Sequence, residues 1–237
     1  MFDNYTLKAR YFPVIIFLFP IVVIGVFYSL QFNSIFHLLT SLGVVGALTY
    51  LFSQLGRDKG KLKEPSLWKD WGGMPSIQLL RLRDPRFDKH TKQRYHQKLQ
   101  ILCPVTSVPD TGMESNDPQA ADDVYNAWTK YLISQSRDNK KFSLLYKENV
   151  SYGFRRNLWG LRSQALILSL SLLIANYLFW AFTFNNFNPQ AFPNSFIYSS
   201  ICILIIILFW LFIVTKGWIK MVAFSYAERL CECADNL

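Results

Sequence analysis

From Tyr11 to Gly56 the chain reads YFPVIIFLFPIVVIGVFYSLQFNSIFHLLTSLGVVGALTYLFSQLG, with no Asp, Glu, Lys or Arg. A second charge-free stretch, Ser163 to Thr215, reads SQALILSLSLLIANYLFWAFTFNNFNPQAFPNSFIYSSICILIIILFWLFIVT. A charge at the centre of a bilayer costs several kcal/mol, so runs of this length point to a membrane protein. One span needs about 20 apolar residues, and each stretch has room for two. The first divides at Gln31-Phe32-Asn33-Ser34, giving candidate spans Phe12–Leu30 and Ile35–Phe52. The second divides at Asn185–Asn194, giving Ser163–Phe184 and Ser195–Thr215. Both dividing segments are built from turn-forming residues. The expected fold is an all-α membrane protein with four transmembrane helices in two hairpins. A mainly helical cytosolic domain is expected between spans two and three.

Basic residues set the expected orientation. Lys8 and Arg10 precede the first span, and Lys216, Lys220 and Arg229 follow the last. The remaining Lys and Arg all fall between spans two and three, and neither short turn holds a charge. Four spans put every basic flank on one side, so both termini and the central block are predicted to be cytoplasmic. The net charge of +9 is mostly this positive-inside signature and is weak evidence for nucleic acid. The first span has no small-x-small cleavage site and reads as retained. Cys103, Cys202, Cys231 and Cys233 fall in reducing or lipid surroundings on this topology and are expected as free thiols.

The expected organisation is a tail and first hairpin over 1–56, a cytosolic domain over 57–162, a second hairpin over 163–215 and an amphipathic C-terminal helix over 216–237. Within the domain, Lys63-Glu64-Pro65 and Trp68–Pro75 read as irregular. Ile77–Leu82 is a short apolar run of undecided type. Lys89–Leu102 has helical periodicity, with Tyr95, Leu99 and Leu102 on one face. Cys103–Pro118 reads as a loop. Asp117-Pro118 is a helix start, with Asp as N-cap and Pro at the first helical position. A break is expected near Asp138-Asn139, then a helix over Lys140–Asn149. The C-terminal helix shows Ile219, Val222, Ala223, Tyr226, Leu230 and Cys233 at three- and four-residue steps.

Several residues invite a functional reading, and each has a plainer one. Gly43 and Ala47, four apart, would let helices approach closely. Asn176, in the middle of span three, would form an interhelical hydrogen bond or line a polar path; the absence of any charged companion favours the hydrogen bond. His37 reads as a proton sensor or, more plainly, as an interfacial side chain. In Tyr152-Gly-Phe-Arg155-Arg156 aromatics interleave with arginine just before span three. That pattern suits a phosphate-bearing ligand, or an ordinary anchor for anionic headgroups. Arg94 and Lys98, with His90, form a basic helix face that is either solvated or open to a nucleotide or nucleic-acid partner. Gly56–Lys61 fails as a phosphate loop: it is one residue short and Leu62 replaces Ser or Thr. His90 and His96 do not share a helix face, and Cys231-x-Cys233 lacks a second pair, so no metal site or cofactor is expected. No nucleophile–base–acid set is apparent, so an enzyme is unsupported. Transporters carry ionisable or broken-helix features at mid-membrane; this chain lacks the ionisable ones, which lowers a channel or transporter reading.

Two stretches carry a resemblance. Arg57-Asp58-Lys-Gly60-Lys61 with Glu64 is one. Trp71-Gly72-Gly73-Met-Pro75, followed by Leu80-Arg81 and Lys92-Gln-Arg94-Tyr95-His96, is the other. Together they resemble an uncharacterised family of bacterial inner-membrane proteins. The layout resembles the four-span effectors that accompany nucleotide-signalling and retron-type anti-phage systems. This resemblance lies in architecture and transfers no functional residue. It implies a protein of the bacterial inner membrane, silent until a cytosolic protein partner or a nucleotide- or nucleic-acid-linked trigger activates it. The four helices hold few polar groups, so a pore would need several subunits or a rearrangement, and a homo-oligomer is expected. Activation would then perturb the membrane and halt the infected cell. A membrane scaffold that recruits a cytosolic partner is the first alternative, and a channel or transporter subunit the second.

Overall fold

A computed structural model describes residues 4–237. Among them every regular element is helical: α1 (Phe12–Gln31), α2 (Ile35–Trp71), α3 (Pro75–Leu80), α4 (Lys89–Leu102), α5 (Thr111–Asn116), α6 (Pro118–Gln135), α7 (Ser143–Thr183), α8 (Asn194–Leu208) and α9 (Lys216–Glu232). A π-helical turn, Thr6–Tyr11, leads into α1, and another, Phe209–Ile213, ends α8. Four helices are long and apolar enough to cross a membrane, and they carry the four expected spans.

Three local expectations are corrected. The segment Lys63–Trp71, read as irregular, continues α2, with Pro65 inside the helix. Pro65 is exposed, so the carbonyl that its missing N–H leaves unpaired is not trapped in a core. The helix expected over Lys140–Asn149 and span three are one helix of 41 residues, α7. At 1.5 Å per residue α7 is about 60 Å long, roughly twice a hydrocarbon core. The loop expected over Cys103–Pro118 contains α5, capped by Asp110, whose side chain accepts from the Met113 N–H.

The chain divides into two compact units. One comprises Met1–Lys63 and Gly153–Ile219, the other Glu64–Tyr152 and Lys220–Leu237. These divisions fall inside α2, α7 and α9 rather than at the ends of the charge-free stretches.

The first unit holds the four apolar helices. Its core includes Phe17, Leu18, Leu158, Leu161 and Trp210. Asn33 and Asn185 both sit at φ 47°, the left-handed conformation that asparagine tolerates, and each follows the end of a span. Helix α2 lies against α1, since a Cβ on Gly25 would strike the Ser41 side chain. It also lies against α7: a Cβ on Gly160 would come 2.5 Å from the Gly60 nitrogen and 2.8 Å from the Gly56 carbonyl. Only glycine permits so close a backbone approach. Gly43 and Ala47 are not part of these crossings. Both are exposed, and a Cβ on Gly43 would meet nothing within 4 Å.

Asn176 is 3% exposed and joins three helices. It accepts from the Tyr28 hydroxyl at 3.1 Å and its amide donates to the Ser199 and Ser200 hydroxyls, both at 3.0 Å. Every polar atom of that side chain is thereby used within the helix bundle.

The second unit packs α3, α4 and α6 with most of α9. Leu79, Tyr95, Leu99, Tyr125, Trp128 and Leu230 lie in its core. Helix α4 has the predicted bounds. Asp88 caps it, accepting from the Thr91 N–H at 3.0 Å, and Asp117 caps α6 in the same way through Ala120. Helix α9 places Phe224, Ala227, Leu230 and Cys231 in this core, so its apolar face is covered by the chain itself. All four cysteines are free.

Candidate functional site

The glycine pair Gly72-Gly73 is where the second unit's polar network begins. Gly72 and Gly73 have φ of 91° and 129°, which only glycine adopts without strain. The turn brings their carbonyls to side chains further along. Gln78 donates to the Gly73 carbonyl at 2.5 Å, and Arg81 Nη1 donates to the Gly72 carbonyl at 2.9 Å. Arg81 also grips Asp122 of α6 with two parallel bonds of 2.8 and 2.6 Å, the fork geometry that arginine favours with a carboxylate.

Beyond α3 the backbone turns through Arg81–Asp88, and three buried polar side chains hold it. Lys92, only 3% exposed, donates to the carbonyls of Arg81, Leu82 and Asp84. Burial lowers its pKa, opposed by the carboxylates of Asp84 and Glu114. His96 Nε2 meets the Leu80 carbonyl at 2.8 Å. A carbonyl can only accept, so Nε2 carries the proton and the ring is held as that tautomer. Burial pushes its pKa below the usual 6.5, with the Leu80 bond opposing. Glu114 of α5 takes the Leu82 and Arg83 N–H groups at 2.6 and 3.2 Å and the Tyr125 hydroxyl at 2.8 Å. Burial and the donation to Glu114 push the Tyr125 hydroxyl well up. The Lys92 ammonium, the His96 Nε2 proton and both Glu114 carboxylate oxygens are thus paired, and pairing makes a buried polar network rigid rather than costly.

The fixed turn and the outward face of α4 form the walls of an open cleft of about 1180 Å³. Its apolar wall includes Leu82, Phe87, Ile101 and Val108. Ile101 is 77% exposed and Val108 43%. Gln93 and Gln97, one helical turn apart, are exposed on the α4 side. Three basic residues line the cleft, Arg83, Lys89 and Lys92, against one acidic residue, Asp84, which Arg86 pairs at 2.9 Å.

The residues singled out from sequence have other partners. Arg94 meets Asp235 through two bonds of 3.1 Å, and Lys98 donates to the Asp235 backbone carbonyl at 2.9 Å. The basic face of α4 thus holds the C-terminal turn. Tyr152 donates to Glu64 at 2.7 Å and stacks on Tyr226 at 6.1 Å.

In the first unit, Arg155 donates to the Trp218 carbonyl at 2.7 Å and lies 4.4 Å from the centre of its indole. Arg156 is buried, with Nε 3.3 Å from the Asn157 side-chain oxygen. Two neighbours absent from the candidate set complete this segment. Asn157 donates to the Ala9 carbonyl at 2.7 Å, and Arg162 to the Trp210 and Leu211 carbonyls at 2.9 and 3.2 Å. Ala9, Trp210 and Leu211 all belong to π-helical turns, where the regular i+4 ladder is interrupted; the i+4 position from Ala9 is Pro13, which has no N–H to offer its carbonyl. The arginine-rich entry to span three therefore staples the irregular ends of spans one and four.

Lys92, His96, Glu114 and Tyr125 were not among the sequence candidates. Lys92 and His96 interrupt the otherwise apolar face of α4 marked by Tyr95 and Leu99, and that interruption was the available signal. Glu114 carried none, lying in a segment read as loop. Among the described residues no group of three His, Cys, Asp or Glu could hold a metal ion. Burial raises the Cys233 thiol to about 11, an unreactive state at neutral pH. The cleft offers fixed walls, amides and cations, groups that suit the binding of a partner. No protein-family model matches the chain, and neither does any curated protein or solved structure.

Proposed function

We propose that this chain is a non-enzymatic inner-membrane effector or sensor of an anti-phage defence system. In this reading the four spans form two hairpins, and both termini and the polar unit face the cytoplasm. A trigger received by the polar unit perturbs the membrane and arrests the cell. The observation that carries the reading is the cleft. Gly72-Gly73, Leu80-Arg81 and Lys92–His96, the stretches that carry the family resemblance, supply much of the network that fixes its wall.

The membrane unit supports an effector over a transporter. Asn176 spends its amide on helix-to-helix bonds, and Arg155 and Arg162 donate to backbone carbonyls. One copy has no evident polar path, so perturbation requires several copies or a rearrangement. The anti-phage context comes from the architectural resemblance. A scaffold that recruits a cytosolic partner is the second reading, favoured by the unspent amides and cations of the same cleft.

Triggered expression with a potential-sensitive dye tests the proposal. Depolarisation that precedes growth arrest is the expected result. Growth arrest at unchanged membrane potential counts against the effector reading and leaves the scaffold.

A further inference from the structure

We propose that the cleft between α4 and the Arg81–Asp88 turn docks an acidic, apolar segment of a partner polypeptide. The proposal deepens the receiver role given to the polar unit above, on which it rests.

Shape favours a polypeptide over a small molecule. Small-ligand pockets are typically about 300–1,000 Å³ and bury most of their ligand. This cleft is about 1180 Å³, and its apolar wall is left open, with Ile101 77% exposed. An open apolar wall of this kind is covered by bulky side chains arriving on another chain.

Polar chemistry narrows the partner. Gln93 and Gln97 present one donor-and-acceptor amide each along one edge of the cleft. A primary amide matches the peptide group, which also offers one donor and one acceptor. Arg83 and Lys89 are exposed on the cleft wall. The lining carboxylate, Asp84, is already paired with Arg86. The cleft is therefore positive, and a segment carrying Asp or Glu beside Leu, Ile or Phe complements it in both charge and polarity. The wall is also preorganised: Lys92 and Glu114 fix the turn that carries Leu82 and Arg83, so little ordering cost falls on binding.

The test uses the full chain in nanodiscs. A random peptide library is selected against it, and the recovered peptides are measured by fluorescence anisotropy. Binding is repeated with an Arg83→Glu/Lys89→Glu double variant and, separately, with Ile101→Glu. These side chains are exposed, and unchanged thermal melting of each variant checks the fold.

Recovered peptides enriched in Asp or Glu beside bulky apolar residues are expected. Each variant should weaken them by about tenfold or more, and added salt should weaken the wild-type complex. Peptides without acidic enrichment, peptides indifferent to both variants, or no enriched peptides at all would overturn the proposal. So would decanoate, a small anionic amphiphile, binding the cleft while no peptide does. A change of oligomer size in Ile101→Glu without recovered peptides would assign the cleft to a second copy instead. Peptide binding with no membrane depolarisation would leave this inference standing and remove the effector reading; depolarisation without peptide binding would do the reverse.

Discussion

Replacing Gly160 by alanine tests the packing of α2 against α7 at one atom. The added Cβ would lie 2.5 Å from the Gly60 nitrogen, 2.8 Å from the Gly56 carbonyl oxygen and 2.9 Å from the Gly60 Cα. Real Cβ atoms essentially never approach within 3.0 Å. All three obstacles are backbone, so no side chain can rotate away and the helices must separate. Overpacking of this kind costs about 1–3 kcal/mol, and rigid neighbours put this site near the upper end. Alanine regains about 1 kcal/mol of helix propensity over glycine, leaving a net loss of about 2 kcal/mol. Gly43→Ala is the matched control, because its Cβ meets nothing within 4 Å. It should gain up to about 1 kcal/mol through propensity. The two substitutions therefore differ by about 3 kcal/mol in opposite directions. Reversible unfolding of the full chain in dodecyl maltoside, titrated with dodecyl sulfate, reads the difference. A Gly160→Ala protein as stable as Gly43→Ala would refute the close approach.

Asn176→Ala removes three hydrogen bonds inside the span bundle; at about 0.6 kcal/mol each it should cost about 2 kcal/mol in the same titration. Glu114→Gln leaves the donors Leu82 N–H, Arg83 N–H and Tyr125 O–H facing one oxygen and an amide NH2. A loss of about 1–3 kcal/mol and faster hydrogen exchange over residues 81–88 are expected. The three histidines allow an NMR titration of labelled imidazoles: the signal lost in His96→Gln should titrate below 6.5. The folded chain keeps that ring neutral where the unfolded chain binds a proton. Stability should then fall as pH drops from about 6.5 toward the folded pKa, at up to about 1.4 kcal/mol per pH unit, and be flat above.

What could be read from the sequence was what neighbouring residues determine. Charge-free runs gave four spans, because excluding charge is a property of a stretch and needs no partner. Asp117-Pro118 marked the start of α6, and the periodicity of Lys89–Leu102 gave both ends of α4, since caps and helical spacing are local signals. Continuity was harder. Pro65 suggested a break, yet α2 runs through it, because an exposed proline need not end a helix; the helix over Lys140–Asn149 was read apart from span three, yet α7 joins the two.

Partnership was harder still. Gly60 and Gly160 are a hundred positions apart, and nothing near either one announces the other. Gly43 and Ala47 had the better local spacing and lie exposed. Arg94 and Lys98 gave a basic face that looked available, but their counter-charge is Asp235, almost at the end of the chain. The buried frame of the candidate site joins α3, α4, α5 and α6, so only the interruption of α4's apolar face by Lys92 and His96 hinted at it.

The central claim, that this chain is a membrane effector acting through its spans, is tested most directly by single-cell membrane potential. A potential-sensitive dye would follow bacteria carrying the chain through phage challenge, beside cells carrying Arg83→Glu/Lys89→Glu. The account predicts depolarisation before lysis in the first and sustained potential in the second. Growth arrest at full membrane potential in cells carrying the unaltered chain would contradict it.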